Sequence, residues 1–488
     1  MGNILPLFSR RALLRGGIAA AGLVAAPNRS RLLVSATAGA PLTRYDAASP
    51  QGRAMLEIYA VAVARMMALP ASDPLSWVFQ WNLHAIRNDR SHAAELAASG
   101  PGTDPALAAV LWDTCEAHFD PRRTDFFLPW HRLFVWRIER IVRRLTGEAG
   151  FTMPYWNYGD PVSRALPPEF RRPGDPFWGA LYRADRNPGV NDGEPIDKNG
   201  EASIDLAAMM SAIYRDTGTG DAGFSFDLDN APHAAVHIDI GTRQRGMGAV
   251  AWSLNDPIFW LHHSSIDRIW ASWNRAGRRN PRELGFLVET FAFIDENGRL
   301  ARSACADAMA TAPLGYGYDH YLERPPGSLP FSANPALTEH AAARGTVPAI
   351  GPSAAPVSVA LAPGAADFAA GTDRIFVLRL GGVRIVRQPK VSYRIYLAPE
   401  SGMSNTRDEP SHIGDINAFG VVPREGAVKP GPTPNTFPRA YSFVVTERIR
   451  HLLQAGRLGA PLQVILAPTG IPASDTEATI DEIVLLSS

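Results

Sequence analysis

Cysteine is almost missing from this chain. Cys115 and Cys305 are its only two, so at most one bridge can form and a disulfide framework is excluded. An excess of either charge is missing too. Lysine plus arginine and aspartate plus glutamate both total 48, which leaves no electrostatic footprint for nucleic acid or an acidic membrane surface. No apolar run reaches bilayer length. The best candidate, about Gly16 to Ala26, falls short of the roughly 20 residues that a spanning helix needs. No internal repeat is evident. What remains is a 488-residue chain with 46% hydrophobic and 20% charged residues, an ordinary globular composition with room for two or three cores. Its 42 glycines and 41 prolines predict long ordered loops between the regular elements.

The N-terminus, "SRRALLRGGIAAAGLVAA", pairs Arg10 with Arg11 ahead of leucines and a short stretch of small apolar residues. This is the pattern of a twin-arginine signal. A signal over 1–38, cleaved after Ala38, predicts a periplasmic or secreted bacterial protein whose partner in transit is the twin-arginine export machinery. From 39 to 325 the chain is rich in aromatics and helical patterns. "DPLSWVFQWNLHAIRN" (73–88) and "LPWHRLFVWRIERIVRRL" (128–145, begun by Pro129) read as helices, and 160–225 reads as loop. An Ala/Pro/Gly-rich stretch over 326–372 reads as linker or cover. Beyond it, runs such as "RIFVLRL", "VSYRIYL" and "LQVILA" predict a small β-rich domain over 373–488.

The segment "DPIFWLHHSSIDRIW" (256–270) sets two histidines inside one of the most apolar runs in the chain. Asp256 and Pro257 signal a helix start, and Phe259, His263, Ile266 and Trp270 then share one face. A lone histidine there would read as a core residue held by a hydrogen bond. It is not alone. His84 falls on the first helix, His118 in "CEAHFD", and His131 at the start of the long helix. His233 and His237 form an H-x-x-x-H pair that a helix brings to one face. Two groups of three imidazoles without a cysteine pair favour a nitrogen-loving metal. Zinc fits less well, because its catalytic sites often take a carboxylate and it does no redox chemistry. Copper would add oxygen chemistry.

"FFLPWHRLFVWRIER" and "DPIFWLHHSSIDRIW", with "LDNAPHAAVHIDIG" before the second, resemble the copper signatures of the tyrosinase, catechol oxidase and haemocyanin group of type 3 copper proteins. "FAFIDENGRLARSACADAMATAPLGYGYD" (291–319) resembles the segment after the second copper site in plant-type polyphenol oxidases, and "VSYRIYLAPE" resembles their C-terminal domain more faintly. The resemblance implies a mainly α fold. A helical bundle with long loops would hold a dinuclear copper site over 39–325, followed by the β-rich domain, which in that family shields the copper. It implies that His84, His118 and His131 bind one copper and His233, His237 and His263 the other. His262 would then shape the substrate site. Asp267, one turn beyond His263, pairs with Arg268, orients a ligand or caps the helix.

Two positions depart from the family pattern. Arg122 occupies the place where many relatives carry the second ligand of the first copper, and His118 lies further upstream. His118 is chosen over His92, which lies in a loop-like stretch. Asn88 stands where plant enzymes carry the cysteine that cross-links to that ligand. Cys115, close to His118, could form such a thioether or remain a reduced core thiol. The implied activity is oxidation of o-diphenols to o-quinones, with two catechols supplying the four electrons that take O2 to water. Monophenol hydroxylation and o-aminophenol oxidation are alternatives, and a dioxygen carrier is a remote one. In the family, hydroxylating enzymes often carry Asn after the first ligand of the second copper, and this Asn works with a nearby Glu to hold a water. Here those places hold Ala234 and Asp229, which favours diphenols over monophenols.

Overall fold

The computed structural model describes residues 41–115, 121–198, 204, 206–215, 223–323, 338–350, 357–363, 376–385, 391–398, 411–417, 439–455, 462–472 and 478–487. The expected signal over 1–38 lies outside them, and so does His118. Among the described residues no helix is long and apolar enough to cross a membrane.

Helix α1 (Pro50–Ala68) starts where Ser49 Oγ accepts the Gly52 N–H and Pro50 takes the first helical position. Helix α2 (Trp77–His84) is shorter than its sequence suggests. Asp73 accepts the Leu75 N–H and closes a turn, so the cap passes to Ser76, and an extended Ala85 ends the helix straight after His84. Helices α3 (His92–Ser99) and α4 (Pro105–Leu111) follow, so His92 opens a helix, capped by Ser91, rather than lying in a loop. The long α5 (Phe127–Thr146) matches its predicted span and stops at Gly147, in the left-handed conformation that a residue without Cβ adopts cheaply. Among the described residues of 160–215 there are only short 3-10 turns. A wide turn over Asp229–His233 leads into α6 (Ala234–Ile240).

Helix α7 (Ile258–Arg275) is announced by Asp256, whose carboxylate accepts the Ile258 N–H and also grips the Arg186 guanidinium with both oxygens at 2.8 Å. The predicted apolar face is buried, but so is every other side of the helix through Trp273. Trp130 of α5 and Trp260, Trp270 and Trp273 of α7 lie fully inside this core.

A polar knot ties α5 and α7 to the chain ends of the helical unit. Strand β1 (Leu42–Arg44) runs parallel to β4 (Tyr316–Tyr318), with the hairpin β2 (Thr290–Ile294) and β3 (Leu300–Ala304) between them in sequence. From β1, Arg44 reaches Glu139 at 2.8 Å and Asp267 at 2.7 Å. Asp267 also pairs with Arg132 and accepts the hydroxyls of Tyr316 and Tyr318, both at 2.6 Å. Of the alternatives open for Asp267, the pairing with Arg268 does not form, and ion pairs with Arg44 and Arg132 do. Arg268 turns to the His320 carbonyl and the Asn157 side chain, because neighbouring helix residues point in different directions.

The described residues of the C-terminal region form one eight-stranded sheet in the order β10-β7-β12-β5-β6-β11-β8-β9. In chain order its strands are β5 (Thr338–Ile350), β6 (Val357–Pro363), β7 (Phe376–Ile385), β8 (Tyr393–Ala398), β9 (His412–Ile416), β10 (Arg439–Val444), β11 (Leu462–Pro468) and β12 (Ala478–Ser487). Helix α8 (Thr446–Gln454) packs on it through Ile449 and Leu452. The sheet curls until its end strands meet: a Cβ on Gly414 of β9 would collide with the Phe443 ring of β10. The stretch 326–372 is not a plain linker, since β5 and β6 fall inside it and β5 pairs with β12 along most of its length. Tertiary pairing has overridden a weak β-propensity in an alanine-rich segment.

Candidate metal centre

Two clusters of buried side chains face each other between α2, α5, α6 and α7. In the first, His84, Cys115 and His131 each offer one donor atom, all within 4.8 Å of one another. In the second, His233, His237, His262 and His263 do the same. The clusters meet where the His131 and His263 rings stack, 4.2 Å apart and 7° from parallel.

The way each imidazole is held says which nitrogen it presents. His131 Nδ1 donates to the Phe127 carbonyl at 2.8 Å, and His237 Nδ1 donates to the Met247 carbonyl at 2.8 Å. His233 Nδ1 lies 3.2 Å from the Asp229 carbonyl and 2.9 Å from its carboxylate Oδ1. These carbonyls can only accept, so Nε2 of each ring carries the lone pair, the arrangement that metal-bound histidines ordinarily show. His263 has no hydrogen-bond partner on either nitrogen, although it is buried. An unmet polar group of that kind costs about 1–3 kcal/mol, and a metal would remove the cost. Burial first, then the crowd of His131, His262, His233 and His237, pushes the His263 pKa well down and keeps the ring neutral. A neutral imidazole is what a metal ion requires.

The walls are aromatic. Phe259 stands 4.2 Å from the His263 ring and 5.1 Å from His84, and Phe127 stands 4.6 Å from His233. Such walls exclude water and fix the rings. Cys115 takes part in no disulfide and has its Sγ 3.7 Å from His131 Nε2; Cys305 takes part in none either, its thiol pushed up to about 12 by burial and Glu289. The two cysteines thus form no bridge.

The structure therefore brings His84, His131, His233, His237, His262 and His263 together, with Cys115 beside them. His92 joins neither cluster and packs its ring against Trp112. Asn88 accepts the Trp252 indole N–H at 2.8 Å. Ala234 is buried against Ile238 and Val250. Asp229 lies against the His233 imidazole, a contact that the i, i+4 spacing foreshadows but does not prove. Sequence reasoning missed Phe127 and Phe259 as walls. It also missed the grip of the β-sheet on the α6 segment. Asn417 donates to the Asn230 carbonyl at 2.7 Å, and Arg243 reaches the Asn417 carbonyl and Ser392 Oγ. Phe226 sets its ring against Tyr441.

A helical bundle that brings two buried imidazole clusters together is suited to hold a pair of metal ions. The family profile described as the common central domain of tyrosinase matches residues 74–185 and 168–276, and the chain belongs to the tyrosinase and polyphenol oxidase family of type 3 copper oxidoreductases. It is similar to Tyrosinase HcTyr1 of Hahella sp. (strain CCB-MM4), 27% identical over 88% of this chain and 96% of that protein. It is also similar to Polyphenol oxidase A1, chloroplastic, of Vicia faba, 28% identical over 57% of this chain and 47% of that one. The chain thus spans about half the length of that plant relative. Its fold matches that of latent apple tyrosinase with a TM-score of 0.63, at 19% identity, over 93% of this chain and 98% of that one.

Proposed function

We propose that this protein is an o-diphenol oxidase, taking catechols to o-quinones at a pair of copper ions. His84, His118 and His131 would hold one ion, and His233, His237 and His263 the other. The observation that carries this reading is the pair of buried imidazole clusters joined by the His131–His263 stack. Copper ions, when bound, supply the redox chemistry that moves electrons from the diphenol to O2.

The protein's own residues do the rest. The carbonyls of Phe127 and Met247 fix the tautomers of His131 and His237. Phe127 and Phe259 keep the space apolar, which strengthens every electrostatic contact inside it. The choice of diphenol over monophenol rests on Asp229 and Ala234. Ala234 has no side-chain acceptor. The Asp229 carboxylate, one methylene shorter than the family's glutamate, lies with Oδ1 2.9 Å from His233 Nδ1. The pair therefore offers less than the family's Asn and Glu for holding a water that deprotonates an incoming monophenol. A catechol needs less of that help, being the stronger acid. Export through the twin-arginine route, to a periplasmic or extracellular site, belongs to the same proposal and rests on the Arg10–Arg11 motif.

The test is a paired assay on copper-loaded protein, measuring initial rates on dopamine and tyramine. Dopamine should be oxidised at once, and tyramine slowly or after a lag. Comparable initial rates on both would overturn the diphenol assignment and leave a tyrosinase.

A further inference from the structure

Arginine carries almost all of the positive charge in this chain. The sequence holds 45 arginines and 3 lysines, Lys198, Lys390 and Lys429, although lysine is ordinarily among the commonest residues. Lys198 is the one lysine among the described residues. Cys115 and Cys305 are both fully buried.

An o-quinone is an electrophile, and these shortages bear on it directly. A neutral amine attacks a ring carbon, and its lone pair becomes the new C–N bond. One amine proton and the hydrogen of the attacked carbon end on the two oxygens, so the ring returns to a catechol and no further oxidant is needed. A guanidinium stays protonated up to about pH 12 and offers no such lone pair. A lysine amine, with a pKa of about 10.4, is always partly unprotonated near neutral pH. A buried thiol lies out of reach of the ring.

Lys198 is placed to react. Its side chain is 56% exposed, and its ammonium touches Glu194 at 2.6 Å. An exposed ion pair of that kind holds the side chain only weakly. The His320 imidazole is exposed as well, but it is a far weaker base than an aliphatic amine. We propose that Lys198 is the position at which residues 41–323 take up the o-quinone product as a covalent aryl adduct, and that arginine in place of lysine elsewhere in that stretch keeps the adducts to this position. The proposal rests on the diphenol oxidase reading above for the source of the quinone.

The experiment has two arms. In the first, copper-loaded protein meets chemically prepared o-benzoquinone at about pH 9, where more of the amine is unprotonated. Peptide mass mapping then locates adducts that carry the whole mass of the quinone. Lys198 should bear the principal adduct of residues 41–323, and Lys198→Arg should lose it. In the second arm the protein makes its own quinone from catechol. A variant combining Arg53→Lys, Arg144→Lys, Arg172→Lys and Arg302→Lys, all exposed and all keeping their charge, should gain adducts at those positions. Lys198 left intact while His320 or a cysteine takes the ring would overturn the proposal. So would new lysines that stay unmodified in a folded variant. Should that variant fail to fold, Lys198→Arg decides. A protein that forms no quinone from catechol would instead defeat the oxidase reading, and the first arm would still read the site.

Discussion

Asp267 is a carboxylate without solvent, held between the Arg44 and Arg132 guanidiniums and two tyrosine hydroxyls. Burial alone would raise its pKa, but Arg132 and Arg44, with the Tyr316 and Tyr318 hydroxyls, outweigh burial and hold it below the usual range. A carboxyl whose folded pKa is depressed stabilises the protein above its unfolded value, about 3.9, and the gain disappears as pH falls through the folded value. Asp267→Asn should therefore cost about 3–5 kcal/mol near neutral pH, because it leaves buried guanidiniums without their counter-charge. Thermal melts at pH 7 check the size. Melts below pH 4 should show the gap between variant and unmodified protein closing, and a constant gap would contradict the assignment. At Ala234 the prediction concerns selectivity. Ala234→Asn should raise the tyramine rate relative to the dopamine rate. An unchanged ratio in folded, copper-loaded variant would remove Ala234 from the account.

Helices α5 and α7 were legible from sequence because each couples a start signal to a long apolar pattern, Pro129 in one and Asp256 in the other. Register and the H-x-x-x-H spacing placed His263 on the apolar face and His233 beside His237, while the proposed ligand set as a whole came from the resemblance to the copper signatures. Strand β5 was not legible, because its alanines carry little β signal and only pairing with β12 makes it a strand. The partners of Asp267 were not legible, because they come from β1, α5 and β4, far away in sequence. The docking of the β-sheet on the α6 segment was equally hidden. Asn417 donates to the carbonyl of Asn230, near His233 in sequence, and Arg243, near His237 in sequence, donates to the Asn417 carbonyl. If the sheet restrains the site, Arg243→Ala combined with Asn417→Ala should raise the catechol oxidation rate several-fold while copper content stays unchanged. An unaltered rate with confirmed loosening, read by protease cleavage, would make the sheet structural only.

At the scale of the whole molecule, a metal-binding helical unit and a curled β-sheet share one chain, and every ligand proposed for the second copper lies on α7 or in the segment that the sheet grips. The central claim is that two opposed imidazole clusters hold two copper ions that must work together. Copper content of purified His263→Ala, set beside the unmodified protein, tests it most directly. Two coppers per chain are expected in the unmodified protein. The variant should hold about one, with catechol oxidation nearly abolished, because one ion alone cannot carry the two-electron step. Full copper content with full activity in His263→Ala would contradict it.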